Sequence, residues 1–221
     1  MPLDQLVAFI AAGLLLNLAP GPDVVYIVTN ALRSGARAGI VAGFGITAGC
    51  FVHIAAAALG VSALLAASAT AFTVLKWVGA AYLVWVGLRM LLARQASALS
   101  LEVEDSPGSG ARSLKSIFLM GFWTNVLNPK VALFFLAFVP QFIPADTANK
   151  PLMFVLLGLL FNFNSVFVNS AWAVFAAGLA RRVDRVRKAG FMLEKAAGLM
   201  FVAFGIQLAL SDAPKLKSAA S

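Results

Sequence analysis

Long apolar runs, separated by short polar or basic segments, dominate the chain from end to end. The runs predict six helical spans, at residues 5–29, 39–67, 72–93, 114–142, 151–180 and 192–210. A helix needs about 20 apolar residues to cross the roughly 30 Å hydrocarbon core of a bilayer, and each run has about this length or more. The pattern therefore predicts an all-α integral membrane protein with six transmembrane helices, folded as a single domain over residues 1–221.

Proline motifs interrupt the first and the fourth of these helices. The first motif is Asn17-Leu18-Ala19-Pro20-Gly21-Pro22-Asp23, and the second is Asn125-Val126-Leu127-Asn128-Pro129-Lys130. Proline lacks a backbone N–H, so a proline inside a helix leaves the carbonyl four residues before it without its helical donor. In hydrocarbon such a carbonyl is tolerated only where it faces protein or a wet cavity. We therefore predict that both broken helices face the protein interior, as in the substrate sites of many secondary transporters.

The order of the motifs indicates an internal repeat. Spans 1–3 and spans 4–6 each begin with a proline-broken helix and end with a helix in which a lysine precedes two glycines. The halves cover about 1–93 and 113–210, and the polar segment 94–112 is predicted to be a cytoplasmic linker. Because each half has three spans, the second half enters the membrane upside down relative to the first. Inverted repeats with matching broken helices indicate a binding site near the bilayer midplane.

Composition supports the membrane assignment and narrows the function. Apolar residues make up 61% of the chain, charged residues only 12%, and the mean hydropathy is +0.91. The net charge of +8 comes mostly from lysines and arginines between spans 1 and 2, 3 and 4, and 5 and 6. By the positive-inside rule these segments are cytoplasmic, so both termini are predicted outside and no nucleic-acid partner is expected. One cysteine and one histidine exclude a disulfide framework and give no reason to expect a metal or another cofactor.

Asp23 and Lys130 are the two charged residues of the proline motifs. A carboxylate inside a membrane is costly, which predicts a functional role for Asp23: it binds a substrate ammonium group, or it carries a coupled proton. The alternative is that Asp23 caps the second half of the broken helix. Lys130 is predicted to bind a substrate carboxylate or to pair with Asp23, unless its side chain reaches toward an interface instead.

Polar residues without charge complete the predicted site. Asn17, Asn125 and Asn128 are expected to satisfy the backbone groups that the prolines free. Asn162, Ser165 and Asn169 follow a helical spacing in span 5, so they form one stripe that lines a cavity or bonds to another helix. His53 shares a face with Gly45 and Gly49 that suits close helix packing; it relays protons or is a satisfied packing residue.

At these motifs the chain resembles the lysine-exporter (LysE/RhtB) family of bacterial amino-acid efflux proteins. The resemblance rests on Pro20-Gly21-Pro22-Asp23 with Asn17, on Lys76-Trp77-Val78-Gly79-Ala80-Ala81-Tyr82-Leu83, and on Asn125 to Lys130 followed by Phe134 and Phe135. It implies a proton-driven exporter of amino acids or close derivatives in the bacterial cytoplasmic membrane, forming a homodimer. The predicted substrate site then comprises Asn17, Pro20, Gly21, Pro22, Asp23, Asn125, Asn128, Pro129, Lys130, Asn162, Ser165 and Asn169, and the predicted proton-coupling residues are Asp23 and His53.

Two other functions fit the composition less well. An exporter of metal ions or of another small solute shares the architecture, although soft and imidazole ligands are scarce. An integral membrane enzyme needs a nucleophile with a base, paired carboxylates or a metal. The spans contain one histidine, one cysteine and one aspartate, which are too few for that chemistry.

Overall fold

A computed structural model of the chain describes residues 2–61, 69–92, 113–144, 147–178 and 183–210. The predicted linker, 94–112, lies outside the described residues. The described residues contain helices and connections and no strand. They form seven α-helices: α1 (Leu3–Leu18), α2 (Pro22–Ala56), α3 (Ala69–Leu92), α4 (Leu114–Val126), α5 (Pro129–Leu133), α6 (Lys150–Gly178) and α7 (Val183–Leu210). A π-helical turn, Ala57–Val61, extends α2, and two further turns, Phe134–Phe138 and Val139–Phe142, extend α5.

Both proline motifs break the helix that contains them, as predicted. α1 ends at Leu18, Ala19 and Gly21 have extended backbones, and α2 starts at Pro22. α4 ends at Val126, and α5 starts at Pro129 after a bend of 47°. In each case a proline stands at the first position of the new helix, where its missing N–H breaks no hydrogen bond within that new helix.

Gly35 divides α2 into two arms that fold back on each other. Its φ of 82° lies in the left-handed region that favours glycine. A Cβ atom built on Gly39 would lie 2.7 Å from that of Ala31. Eight residues of straight helix would separate the two by about 12 Å, so the chain reverses between them. We call residues 22–34 the first arm and residues 36–56 the second arm. The segment 30–38, between the predicted spans 1 and 2, was expected to be a loop. It is instead helical apart from Gly35.

Among the described residues, two helices are long and apolar enough to cross a membrane: Pro22–Gly60, which contains the reversal, and Lys150–Gly178. The bent pair Leu114–Val126 and Pro129–Phe142 counts as a third if it forms one span, and Leu3–Leu18 and Trp77–Leu92 are shorter apolar helices. Large apolar side chains cover the outside; Phe163, for example, is 62% exposed. The described residues thus form an all-helical protein suited to a bilayer.

Glycines bring the helices into backbone contact next to the broken segments. A Cβ atom on Gly45 would lie 2.1 Å from the carbonyl oxygen of Phe118 in α4, and one on Gly49 would lie 2.5 Å from that of Phe122. The predicted close-packing face is therefore confirmed: the second arm of α2 packs directly on α4. Gly87 of α3 and Gly198 of α7 make an equivalent contact. These contacts fix the position of α4 along the second arm of α2. The last turn of α4 carries Asn125.

A cluster of phenylalanine rings holds the other side of the breaks. Phe134, in the turn that extends α5, contacts Phe9 of α1 at a centroid distance of 6.1 Å and Phe161 of α6 at 5.0 Å. All three rings are buried. The cluster therefore joins α1 and α6 to the turn that follows α5.

The helix α7 begins earlier than predicted. The basic segment 181–188 was expected to be a loop before a span starting at 192, but residues from Val183 onward are helical. The segment contains arginine and lysine, which are good helix formers, so a basic composition does not by itself end a helix. Lys195, in the same helix, donates from Nζ to the carbonyl oxygens of Met90 and Leu91 and thereby caps the end of α3.

Candidate functional site

A small cavity lies where the two breaks meet. Its walls come from α1, both arms of α2, α4, α5 and α6, and its lining residues are Leu16, Asn17, Asp23, Val24, Ile46, Cys50, Asn125, Lys130, Val131, Phe161, Ser165 and Asn169. Six of the predicted site residues are therefore brought to one place. The cavity volume is about 10 Å³, enough for about one water molecule. An amino acid enters only if the surrounding helices move apart.

Asp23 reaches from the start of α2 across to α4. Its Oδ2 accepts a hydrogen bond of 2.9 Å from Asn125 Nδ2, and the side chain is buried. The capping alternative is not realised, because Gly21 is the N-cap residue and no side chain bonds to the first N–H groups of α2. A carboxylate can only accept, so the Asn125 amide must present its oxygen elsewhere. Neither that oxygen nor Asp23 Oδ1 has a hydrogen-bond partner among the described residues.

Lys130 repairs the break after α1. Its Nζ donates to the carbonyl oxygens of Leu16 and Ala19, both at 3.0 Å. Asn17 was expected to satisfy such groups, but its Nδ2 has no partner in the described part of the chain. The reason is geometric: Asn17 lies on the cavity face of α1, whereas the long lysine side chain crosses from α5. Gly21 makes room for it, since a Cβ atom there would lie 3.1 Å from Lys130 Nζ.

His53 repairs the break before α5 in the same manner. The carbonyl oxygen of Asn125, which Pro129 deprives of its helical donor, receives His53 Nε2 at 2.9 Å and the backbone N–H of Asn128 at 2.8 Å. A carbonyl only accepts, so Nε2 carries a proton. The imidazole also stacks on Phe135, with ring centroids 6.4 Å apart. Each break is thus satisfied by a basic side chain from the other half of the chain.

Asn128 caps α5, as expected of an asparagine before a proline-initiated helix. Its Oδ1 accepts from the backbone N–H of Lys130 at 3.0 Å, a normal N-cap bond. The amide orientation is therefore fixed, and Nδ2 faces away from the cap without a hydrogen-bond partner among the described residues. Pro20, Gly21, Pro22 and Pro129 form the broken backbone itself and provide no side-chain polar group.

The polar stripe of α6 both lines the cavity and bonds to another helix, which are the two roles that its spacing predicts. Asn162 bonds to another helix, since its Nδ2 donates to the carbonyl oxygen of Thr47 in the second arm at 3.2 Å. Ser165 and Asn169 line the cavity, and Asn169 Nδ2 lies 3.0 Å from Ser165 Oγ. All three side chains are buried. The stripe therefore supplies one helix contact and one polar wall.

The profile of the LysE type translocator family matches residues 14–212. The chain belongs to this family. An uncharacterized membrane protein of Vibrio cholerae is 33% identical over 96% of this chain and 100% of its own length. The membrane protein YrhP of Bacillus subtilis is 28% identical over 95% and 100%. A homoserine/homoserine lactone efflux protein of Salmonella typhimurium is 29% identical over 91% and 94%. No solved structure matches the chain. This LysE type protein is thus a membrane translocator and not an enzyme.

The sequence did not single out Cys50 as part of the candidate site. Cys50 is buried and lines the cavity beside Asp23 and Asn125. A signal was present, because Ile46, Cys50 and His53 follow helical spacing and share one face of the second arm. The apolar lining residues of the cavity carry no comparable signal, since leucine, isoleucine and valine occur throughout the chain.

Replacing Lys130 with methionine is expected to destabilise the protein. The carbonyl oxygens of Leu16 and Ala19 would lose their donor while both residues stay buried. A buried polar group without its partner costs about 1–3 kcal/mol. We expect a clearly lower midpoint of thermal aggregation in detergent, measured by size-exclusion chromatography after heating. Lys115→Met, at an exposed position in α4, is the matched control. Equal midpoints for the two variants would refute a stabilising role of Lys130 at the break after α1.

Proposed function

We propose that this translocator exports amino acids or close derivatives across the bacterial cytoplasmic membrane, driven by inward proton flow. The observation that carries the proposal is a buried carboxylate, Asp23, in a polar cavity between two broken helices. A buried charge without a function would be costly to keep inside a membrane. The efflux of homoserine and its lactone named for one relative supports the same direction of transport.

The substrate's charged ends are assigned by hydrogen-bonding capacity. Asp23 and Asn125 each have an oxygen without a hydrogen-bond partner in the described part of the chain, and these acceptors suit a substrate ammonium group. Lys130 supplies the positive charge for the substrate carboxylate, and Asn17 Nδ2 is a further donor on the same wall. Asn128, Pro20, Gly21, Pro22 and Pro129 shape this wall, and Asn162 holds α6 against it. Asp23 also carries the coupled proton, with His53 as the second proton-coupling residue.

Six spans in two inverted repeats complete the proposal. α1 joined to the first arm of α2 forms span 1, and α4 joined to α5 forms span 4. Two contacts support the pairing of the halves: α1 meets α6 where Gly13 approaches the Phe161 ring, and α4 meets the second arm at Gly45. Under the repeat these contacts are equivalent.

We further propose that both termini lie outside and that the transporter is a homodimer. Rocking of one half against the other opens the cavity to alternate sides.

Efflux from preloaded cells tests this function. Cells that express the protein and cells with an empty vector are loaded with a panel of radiolabelled amino acids, and the initial rate of release is measured with and without an uncoupler. We expect faster release of at least one amino acid, and we expect the uncoupler to abolish the difference. Release of none would refute the substrate class, and release that is insensitive to the uncoupler would refute proton coupling.

Metal export receives no comparable support. Within the described residues, no group of three or more histidine, cysteine, aspartate or glutamate side chains lies close enough to hold a metal ion. The same preloaded cells, tested with a divalent cation, separate this alternative from amino-acid export.

A further inference from the structure

A second polar group lines the cavity besides the charged residues at the breaks. Ser165 and Asn169, one turn apart on α6, are only 3% and 4% exposed, and their polar atoms lie 3.0 Å apart. Gly43 in the second arm allows this close approach of α6, because a Cβ atom there would lie 3.0 Å from Asn169 Cβ. The pair makes no other hydrogen bond among the described residues. Its remaining hydrogen-bonding capacity therefore has no use in the fold.

The remaining capacity is two donors and at least one acceptor, however the amide is turned. If Asn169 Nδ2 donates to Ser165 Oγ, the serine hydroxyl hydrogen, the second amide N–H and the amide oxygen remain. If the amide is rotated and the serine donates to its oxygen, both amide N–H groups and the serine lone pairs remain. The two orientations differ in which atom plays which part, but not in what the pair offers. The conclusion is therefore independent of the amide assignment.

We propose that Ser165 and Asn169 form the side-chain subsite of the transporter, and that it selects amino acids whose side chain ends in a neutral hydroxyl or carboxamide group. Such groups both donate and accept, so one group can bond to a donor and to an acceptor of the pair at the same time. An ammonium group only donates, so it leaves the donors of the pair unsatisfied. A carboxylate only accepts, so it leaves the acceptors unsatisfied, and an apolar side chain satisfies neither kind. The inference rests on the proposed amino-acid transport and specifies its substrate class.

Charge placement supports the assignment of the two ends. The charged side chains in the cavity lining are Asp23 and Lys130, which lie in the proline motifs, whereas Ser165 and Asn169 are uncharged and lie on α6. The remaining lining near them is apolar and includes Ile46 and Phe161. A zwitterionic backbone bound at the breaks therefore directs its side chain toward a wall that has no charge of its own.

Isosteric amino-acid pairs test the subsite in proteoliposomes that contain the purified full chain and an imposed proton gradient. Homoserine and norvaline differ only in a hydroxyl against a methyl group, as do threonine and valine. A buried polar site rejects an analogue that lacks the matching group, and one lost hydrogen bond already corresponds to about tenfold. We expect the wild-type protein to transport the hydroxyl member of at least one pair about tenfold faster or more.

Variants of the pair locate the preference. We expect Ser165→Ala and Asn169→Leu to bring the ratio of rates close to one, and Ser165→Thr, which keeps a hydroxyl, to retain the preference. Ser170→Ala, on the same helix but outside the cavity lining, is the matched control and should keep the wild-type ratio. If a variant fails to fold, the wild-type ratio still decides the question.

The outcomes separate the subsite from the function. Equal wild-type rates for both members of each pair would overturn the subsite and leave amino-acid export standing. A hydroxyl preference that persists in Ser165→Ala and Asn169→Leu would also overturn it. If no amino acid of the panel moves, the proposed function fails and the subsite fails with it.

Discussion

Asp23→Asn is expected to abolish proton-driven efflux while the protein stays folded. An asparagine oxygen still accepts the hydrogen bond from Asn125 Nδ2, so the contact between α2 and α4 is preserved. What is lost is the negative charge, and with it, under the proposed function, both a charge-assisted bond to the substrate ammonium and a group that exchanges a proton. A hydrogen bond to a charged group contributes about 1.5–3 kcal/mol, which corresponds to roughly 10- to 150-fold in binding.

The measurement is the initial rate of substrate efflux from proteoliposomes under an imposed pH gradient. Asp4→Asn, at an exposed position in the first turn of α1, is the control and should behave as the wild-type protein. Exchange of labelled for unlabelled substrate without a gradient then separates the two roles of Asp23. If exchange survives while net efflux is lost, Asp23 carries the proton only; if both are lost, it also binds substrate. Wild-type efflux in Asp23→Asn would contradict both roles.

The breaks were predictable because their cause is local. A proline removes a backbone donor wherever it stands. Pro22 and Pro129 therefore indicate the start of a new helix from the sequence alone. The close-packing face of Gly45 and Gly49 was predictable for a related reason, since residues four apart always share a helix face. The stripe on α6 follows the same rule.

The partners across the breaks were not predictable. Lys130 and Leu16 are 114 positions apart in sequence, and His53 and Asn125 are 72 apart. No periodicity relates such positions. The Lys130 side chain reaches from α5 to the end of α1, and α2 packs on α4, only in the folded chain. The sequence therefore named most of the polar residues of the cavity but assigned the repair of the backbone to asparagines, when the longer lysine and the histidine provide it.

The reversal at Gly35 is a second feature that could not be predicted from the sequence. Glycine occurs throughout the chain, and a glycine in a helix-helix contact looks the same in sequence as a glycine at a turn. Gly35 differs only in its φ of 82°, which depends on the packing of the two arms against each other. The neighbouring arginines indicated an exposed segment, and Arg33 and Arg37 are indeed exposed, but exposure does not reveal how sharply the chain turns.

Gly45→Ala is expected to cause the largest loss of stability of any single methyl addition in the second arm. The new Cβ atom would lie 2.1 Å from the carbonyl oxygen of Phe118, a backbone atom of α4 that cannot rotate away. Relief requires α4 to move as a whole. Adding atoms to a well-packed interface costs typically about 1–3 kcal/mol, and a clash with backbone belongs at the upper end or beyond. The variant should show a sharply lower thermal midpoint in detergent.

Gly60→Ala is the matched control, because nothing lies within 4 Å of the position where its Cβ atom would stand. Alanine favours a helical backbone over glycine, so this variant should be neutral or slightly more stable. Equal thermal midpoints for the two variants would show that α4 does not pack on the second arm as described.

The effect on transport follows from the same geometry: α4 carries Asn125, which bonds to Asp23 through its amide and to His53 through its carbonyl. A displacement of α4 therefore loosens both contacts at once, so Gly45→Ala should lose efflux even in the fraction that remains folded.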